Sequence, residues 1–168
     1  MAGHFKNLIN GKWLDSSGKK TIESVNPANI SEVVGIVPAS EKTDIDEAVE
    51  AARTAFASWR ETPAPKRGEI IFKAVELLLK NKDSLGRLVT KEMGKVLKEG
   101  MGDVQEAIDM AYYMAGEGRR LSGETVPSEL RNKDCKSVRV PIGVFALITP
   151  WNFPMAIPAW KIFPAIIS

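Results

Sequence analysis

The stretch ITPWNFPMAIPAWKIFPA, residues 148–165, decides how this chain is read. From Gly143 to Ile167 the only charged residue is Lys161, and an apolar run of that length raises the possibility of a membrane-spanning helix, which needs about 20 such residues. Four prolines argue against it. Pro150, Pro154, Pro158 and Pro164 each lack an amide donor, so a helix carrying all four leaves carbonyls unpaired in lipid. A buried segment of a globular protein, interrupted by a turn, accommodates them better. Immediately upstream, GVFALIT at 143–149 is a continuous apolar run with β-branched and aromatic residues, as expected of a strand covered on both faces. Its sequel reads as a turn and then a helix, with Pro154 in the first helical turn.

Working back from that stretch, four helices precede it. Thr43, with Asp46 three residues on, offers a start for a helix whose apolar face is Ile45, Ala48, Val49, Ala52, Phe56 and Trp59. After a break at ETPAPKRG, residues 61–68, a second helix carries Ile71, Ala74, Val75 and Leu78 on one face. A third takes Asp83 as its cap, turns Leu85, Leu88, Val89 and Met93 inward, and ends at Gly94. The fourth begins near Lys98 or Glu99 and runs to about Arg120, stacking Val104, Ile108 and Tyr112 beside Ala107, Ala111 and Ala115, small residues that permit close packing.

The chain opens as small antiparallel strands: Asn10-Gly11 supplies a hairpin turn, and extended Thr21 to Val25 and Val33 to Val37 flank a turn at Asn26-Pro27. After the helices, LSGETVPSELRNKD at 121–134 is turn-rich and CKSVRV at 135–140 resumes as a strand. Helices followed by a buried strand and another helix indicate an α/β protein.

Composition limits the functions. With 168 residues, 44% hydrophobic and 26% charged, the chain suits one ordinary globular domain. Lys plus Arg exceed Asp plus Glu by only 23 to 21, too little for a basic field that holds nucleic acid. A single cysteine and no basic, then apolar, leader point to a reducing, cytoplasmic address.

Few residues carry candidate chemistry. The glycine pairs in EGMGDVQ and GEGRRLSG complete no phosphate-binding loop and read as helix-end chemistry. Cys135 lacks a base, the sole histidine being His4 in a terminus expected to fray, so it reads as an incidental strand-edge thiol. With one histidine and one cysteine, no zinc site of the usual ligands forms. Glu92, Glu99 and Glu106 read as solvated charge. There remains the turn after the buried run. In open α/β sheets ligands bind beyond the carboxyl ends of strands, where ITPWN falls; equally, Asn152 is a favoured helix cap and Trp151 a core filler. Pattern alone leaves both readings open.

VPIGVFALITPWNFPMAIPAWKIFPA, residues 140–165, resembles the signature region of the aldehyde dehydrogenase superfamily, with its P-x-G-V strand leading into a P-W-N-F-P turn. INGKW, VNPA, AFASWRETP, KEMGK and GEGRRLSGETVPSE agree in order, so the resemblance spans nearly the whole chain. It implies a Rossmann-like cofactor domain in its N-terminal part: residues 1–121 belong to that domain, 122–140 to a protruding strand element used in oligomers, and 141–168 to the first βα unit of the sheet. It implies oxidation of an aldehyde to a carboxylic acid with NAD or NADP, in a homo-oligomer (dimer or tetramer); the charge balance and the prolines already argue against a nucleic-acid or membrane partner. Asn152 corresponds to the amide that donates to the oxygen of a cysteine thiohemiacetal, and Ile148, Thr149, Pro150 and Trp151 to the nicotinamide-ribose side of the cofactor. On the same resemblance the attacking cysteine and the water-activating glutamate fall after Ser168, and Cys135 does not match the nucleophile's motif. The 168 residues alone are then expected to aggregate and to be inactive; the alternative is a catalytically inactive chain serving as a protein-interaction module.

Overall fold

The structure, a computed structural model, describes residues 3–168. Strand β1 (Gly3–His4) lies parallel to β5 (Val33–Pro38), and β4 (Thr21–Val25) lies antiparallel on the other side of β5. The opening strands are thus not all antiparallel, and His4, placed opposite Ile36, is paired rather than frayed. Between β1 and β4, β2 (Asn7–Ile9) and β3 (Lys12–Leu14) form a hairpin. Its turn takes positive φ at Asn10 (50°) and Gly11 (71°), as the Asn-Gly pair requires.

Helix α1 spans Lys42–Trp59 and begins at Glu41, not at Thr43. The acid of its first turn is Asp44, whose carboxylate accepts the Glu41 backbone N–H at 2.7 Å. The same carboxylate accepts from Ser16 Oγ and the Ser17 N–H, both at 2.9 Å, so the preceding loop selects the helix start. The apolar face of α1 is only partly used: Ile45, Val49 and Ala52 are exposed, while Phe56 and Trp59 are half-buried.

Helices α2 (Ala64–Lys80), α3 (Lys82–Met93), α4 (Leu97–Glu117) and α5 (Ala156–Ile167) form the core. Ile71 and Val75 of α2, Val89 of α3, Val104, Ile108, Ala111 and Ala115 of α4 and Ile167 of α5 are buried against one another. Asn81, rather than Asp83, is the residue before α3; Asp83 lies in the first turn and pairs with Arg87. Gly94 ends α3 in the left-handed conformation (φ 72°). Leu88 and Tyr112 stay exposed, the latter edge-on to Phe72. Gly100 is not a helix-end residue but lies within α4, where a Cβ would sit 2.5 Å from the Gly86 carbonyl. It lets α3 and α4 approach backbone to backbone.

After α4, β6 (Thr125–Val126) and β7 (Cys135–Lys136) form a short antiparallel hairpin, with Cys135 half-buried. The strand expected over 135–140 stops at Lys136. Residues 141–150 join no sheet among the described residues, and Ile142 and Ile148 are 88% and 92% exposed. The expectation of a strand buried on both faces is corrected here: a strand needs neighbours to pair its amides, and none lies beside this run. Helix α5 starts at Ala156, two residues after Pro154, so the proline of its first turn is Pro158. Among the described residues no helix is long and apolar enough to cross a membrane.

Candidate active site

The turn before α5 is built from polar contacts made by other helices. A helix leaves its first amides without intrahelical partners, and those of α5 are all accounted for. The Ala156 N–H donates to Asp103 Oδ1 of α4 at 2.7 Å. Ile157 donates to the Phe153 carbonyl at 3.1 Å, Pro158 has no N–H, and Ala159 donates to the Met155 carbonyl at 3.2 Å. Asp103 is 1% exposed, so this bond to the first turn of α5 lies in the interior.

The other end of α5 is matched. Arg67 of α2, 5% exposed, donates from Nη2 and Nε to the Ile167 carbonyl at 2.9 and 3.2 Å. Its Nη1 reaches the Thr62 carbonyl at 3.0 Å, beyond the end of α1. Trp59 Nε1 adds a bond to the Ile166 carbonyl at 3.1 Å. Helix α5 is therefore held by a carboxylate at its start and a guanidinium at its finish.

Asn152 does not cap α5, since the residue before the helix is Met155 with no side-chain bond to it. Trp151 does not fill the core, being 79% exposed. Both parts of the purely structural reading of PWN are thus removed. The Asn152 backbone carbonyl accepts from Lys95 Nζ at 2.5 Å, and the same ammonium lies 4.0 Å from the centre of the Phe153 ring. The Asn152 carboxamide is exposed and makes no hydrogen bond among the described residues. A donor so placed is free to meet an oxygen brought to the turn.

Ile148, Pro150 and Trp151 are exposed beside Asn152 in sequence, with Thr149 half-buried. They form an apolar edge and do not line the clefts found elsewhere. One cleft, of about 550 Å³, lies between α1, α5 and the run at 139–147, and is lined by Trp59, Val140, Ile142, Phe145, Trp160 and Pro164 among others. An exposed edge carrying an indole fits one side of a flat ring such as nicotinamide, and it offers no charged donor for a phosphate. His4 and Cys135 belong to different sheets. Glu92, Glu99 and Glu106 are exposed as expected.

Sequence reasoning missed Lys95, Asp103 and Arg67. A signal existed for two of them. Asp103 shares the helical stripe of Gly100, Val104 and Ala107, and Arg67 that of Ile71 and Val75. A charge on an apolar stripe marks a buried, partnered group. Lys95 carries no such mark.

The chain is similar to known proteins over nearly its whole length. The chain is 44% identical over 163 residues to an α-ketoglutarate semialdehyde dehydrogenase of Haloferax volcanii, covering 97% of this chain and 34% of the relative. It is 44% identical over 162 residues to malonate-semialdehyde dehydrogenase 1 of Geobacillus kaustophilus, covering 96% and 33%. The chain thus spans about a third of the length of these curated relatives. Among solved structures, a double mutant of betaine aldehyde dehydrogenase from Staphylococcus aureus in complex with NAD+ superposes with a TM-score of 0.92 at 34% identity, covering 96% of this chain and 32% of that one. The pattern of one family, described as the aldehyde dehydrogenase family, matches residues 13–168. With the α/β fold, the PWNFP turn and a match over nearly its whole length in agreement, this chain belongs to the aldehyde dehydrogenase family.

Proposed function

We propose that this chain works as part of an NAD- or NADP-dependent aldehyde dehydrogenase that oxidises an aldehyde to a carboxylic acid through a cysteine thiohemiacetal and thioester. The observation that carries the reading is the Asn152 carboxamide, exposed and unengaged on a turn that two charged side chains hold. Its amide donates to the aldehyde oxygen as negative charge develops there, and a donor placed at that oxygen lowers the barrier. Ile148, Thr149, Pro150 and Trp151 face the nicotinamide-ribose side of the dinucleotide and keep water from it. When bound, the nicotinamide supplies the hydride acceptor. Two relatives named as semialdehyde dehydrogenases and a neighbour in complex with NAD+ support this reading. Residues 1–121 and 141–168 serve the cofactor domain, and the hairpin within 122–140 serves contacts in a dimer or tetramer.

In the complete enzyme Asn152→Ala is expected to lower kcat by about 100- to 1,000-fold while leaving cofactor affinity nearly intact. Steady-state kinetics with dinucleotide titration checks this, and unchanged turnover removes the assigned role. A second reading, a non-catalytic module that pairs with a partner chain, draws on the unpaired, exposed backbone of 141–150. Size-exclusion of the chain with and without a complementing C-terminal fragment separates the two. Aldehyde-dependent dinucleotide reduction by the reconstituted pair supports the enzyme; stable pairing without activity supports the module.

A further inference from the structure

Lys95 combines two contacts at the turn before α5. Lys6, Lys42, Lys66 and Lys91 pair with carboxylates, as surface lysines commonly do. Lys95 forms no salt bridge among the described residues; its ammonium bonds the Asn152 carbonyl and rests on the Phe153 ring. A cation over an aromatic face and a charge-assisted bond to a carbonyl are both directional. Together they fix one peptide plane, the one joining Asn152 to Phe153.

The lysine is itself well placed to do this. It follows Gly94, the left-handed end of α3, where a Cβ would lie 2.8 Å from the Pro27 ring. Only Lys95 and Val96 separate that glycine from the first residue of α4. Its backbone is therefore set by two helices and its stem is half-buried. Docking of α5 does not depend on it, because Asp103 and Arg67 already hold that helix at both ends. What remains for Lys95 is the turn.

We infer that Lys95 is a positioning residue for Asn152: by holding the 152–153 peptide it sets where the Asn152 side chain leaves the turn. The inference rests on the proposed role of Asn152 and adds to it a residue that acts through another. A small misplacement of a catalytic group costs on the order of 100-fold, so removing the tether while keeping the apolar stem has a measurable kinetic effect.

The test is a double-mutant cycle in the complete enzyme with Lys95→Met, Asn152→Ala and the double variant, following kcat, the KM for the dinucleotide and Tm. Lys95→Met is expected to lower kcat by roughly 10- to 100-fold, with the dinucleotide KM and Tm nearly unchanged. In the Asn152→Ala background the same substitution is expected to change kcat by less than about twofold, because the group it positions is gone. An additive loss in the double variant, or an unaffected Lys95→Met beside a strongly impaired Asn152→Ala, overturns this inference alone. Undiminished turnover in Asn152→Ala overturns the oxyanion reading and this inference with it.

Discussion

The helices α2 to α5 and the parts attached to them are held by different physics. In the helical cluster Val75, Val104 and Ile108 are fully enclosed, and apolar burial supplies the cohesion. The opening strands, the start of α1 and the run at 139–150 leave Leu8, Trp13, Ile22, Ile142 and Ile148 exposed. There the ties are polar: Asp44 with Ser16, Ser17 and Glu41, Asn7 with Ser40, and Asn26 with Glu32. GVFALIT and α5 are both strongly apolar, yet α5 enters the enclosed cluster while GVFALIT pairs with no strand. Partners, not composition, decide which apolar segment is buried.

The comparison is open to attack at several strengths. The largest effect is expected from Ile108→Ala, which opens a cavity in the enclosed cluster and costs about 2–5 kcal/mol, read from the urea midpoint. Next comes Asp103→Ala, which leaves the Ala156 N–H buried without its acceptor and costs about 1–3 kcal/mol. Hydrogen exchange should place that loss in α5 and the turn ahead of it, with Asp103→Asn, which keeps an acceptor, losing less.

A smaller effect sharpens the contrast through pH. Backbone N–H bonds from Glu41 and then Ser17, with the Ser16 hydroxyl, hold the Asp44 carboxyl below the usual aspartate range. A carboxyl depressed on folding contributes stability that is complete above its unfolded value and is lost as pH falls through the folded one. Acid should therefore loosen β2, β3 and the start of α1 before the helical cluster, and Asp44→Asn should flatten that dependence in exchange measurements. The smallest effect is expected at the surface: Ile142→Ser or Ile148→Ser in the 168-residue chain should shift stability by less than about 0.5 kcal/mol. A loss as large as that of Ile108→Ala would break the comparison, by showing the run to be covered in solution.

Local chemistry was legible in the sequence. The Asn10-Gly11 hairpin, the extended Thr21–Val25, the inward face of α2 and the glycine ending α3 were all readable, because each is decided by residues within a turn or two of one another. The start of α1 is not legible locally, because Ser16 and Ser17, more than twenty residues upstream, recruit Asp44. GVFALIT has the composition of a buried strand, but pairing is a property of neighbours. At the turn, Asn152 and Trp151 could be picked out by position, whereas Lys95 lies 57 residues away and no periodicity links the two.

The two tethers of α5 also set an order of events. Asp103 and Arg67 reach it across 53 and 100 residues of chain, so neither contact forms until α2 and α4 are already in place. The turn ahead of α5 is consequently expected to be among the last pieces to take its shape during folding, after the helical platform has assembled.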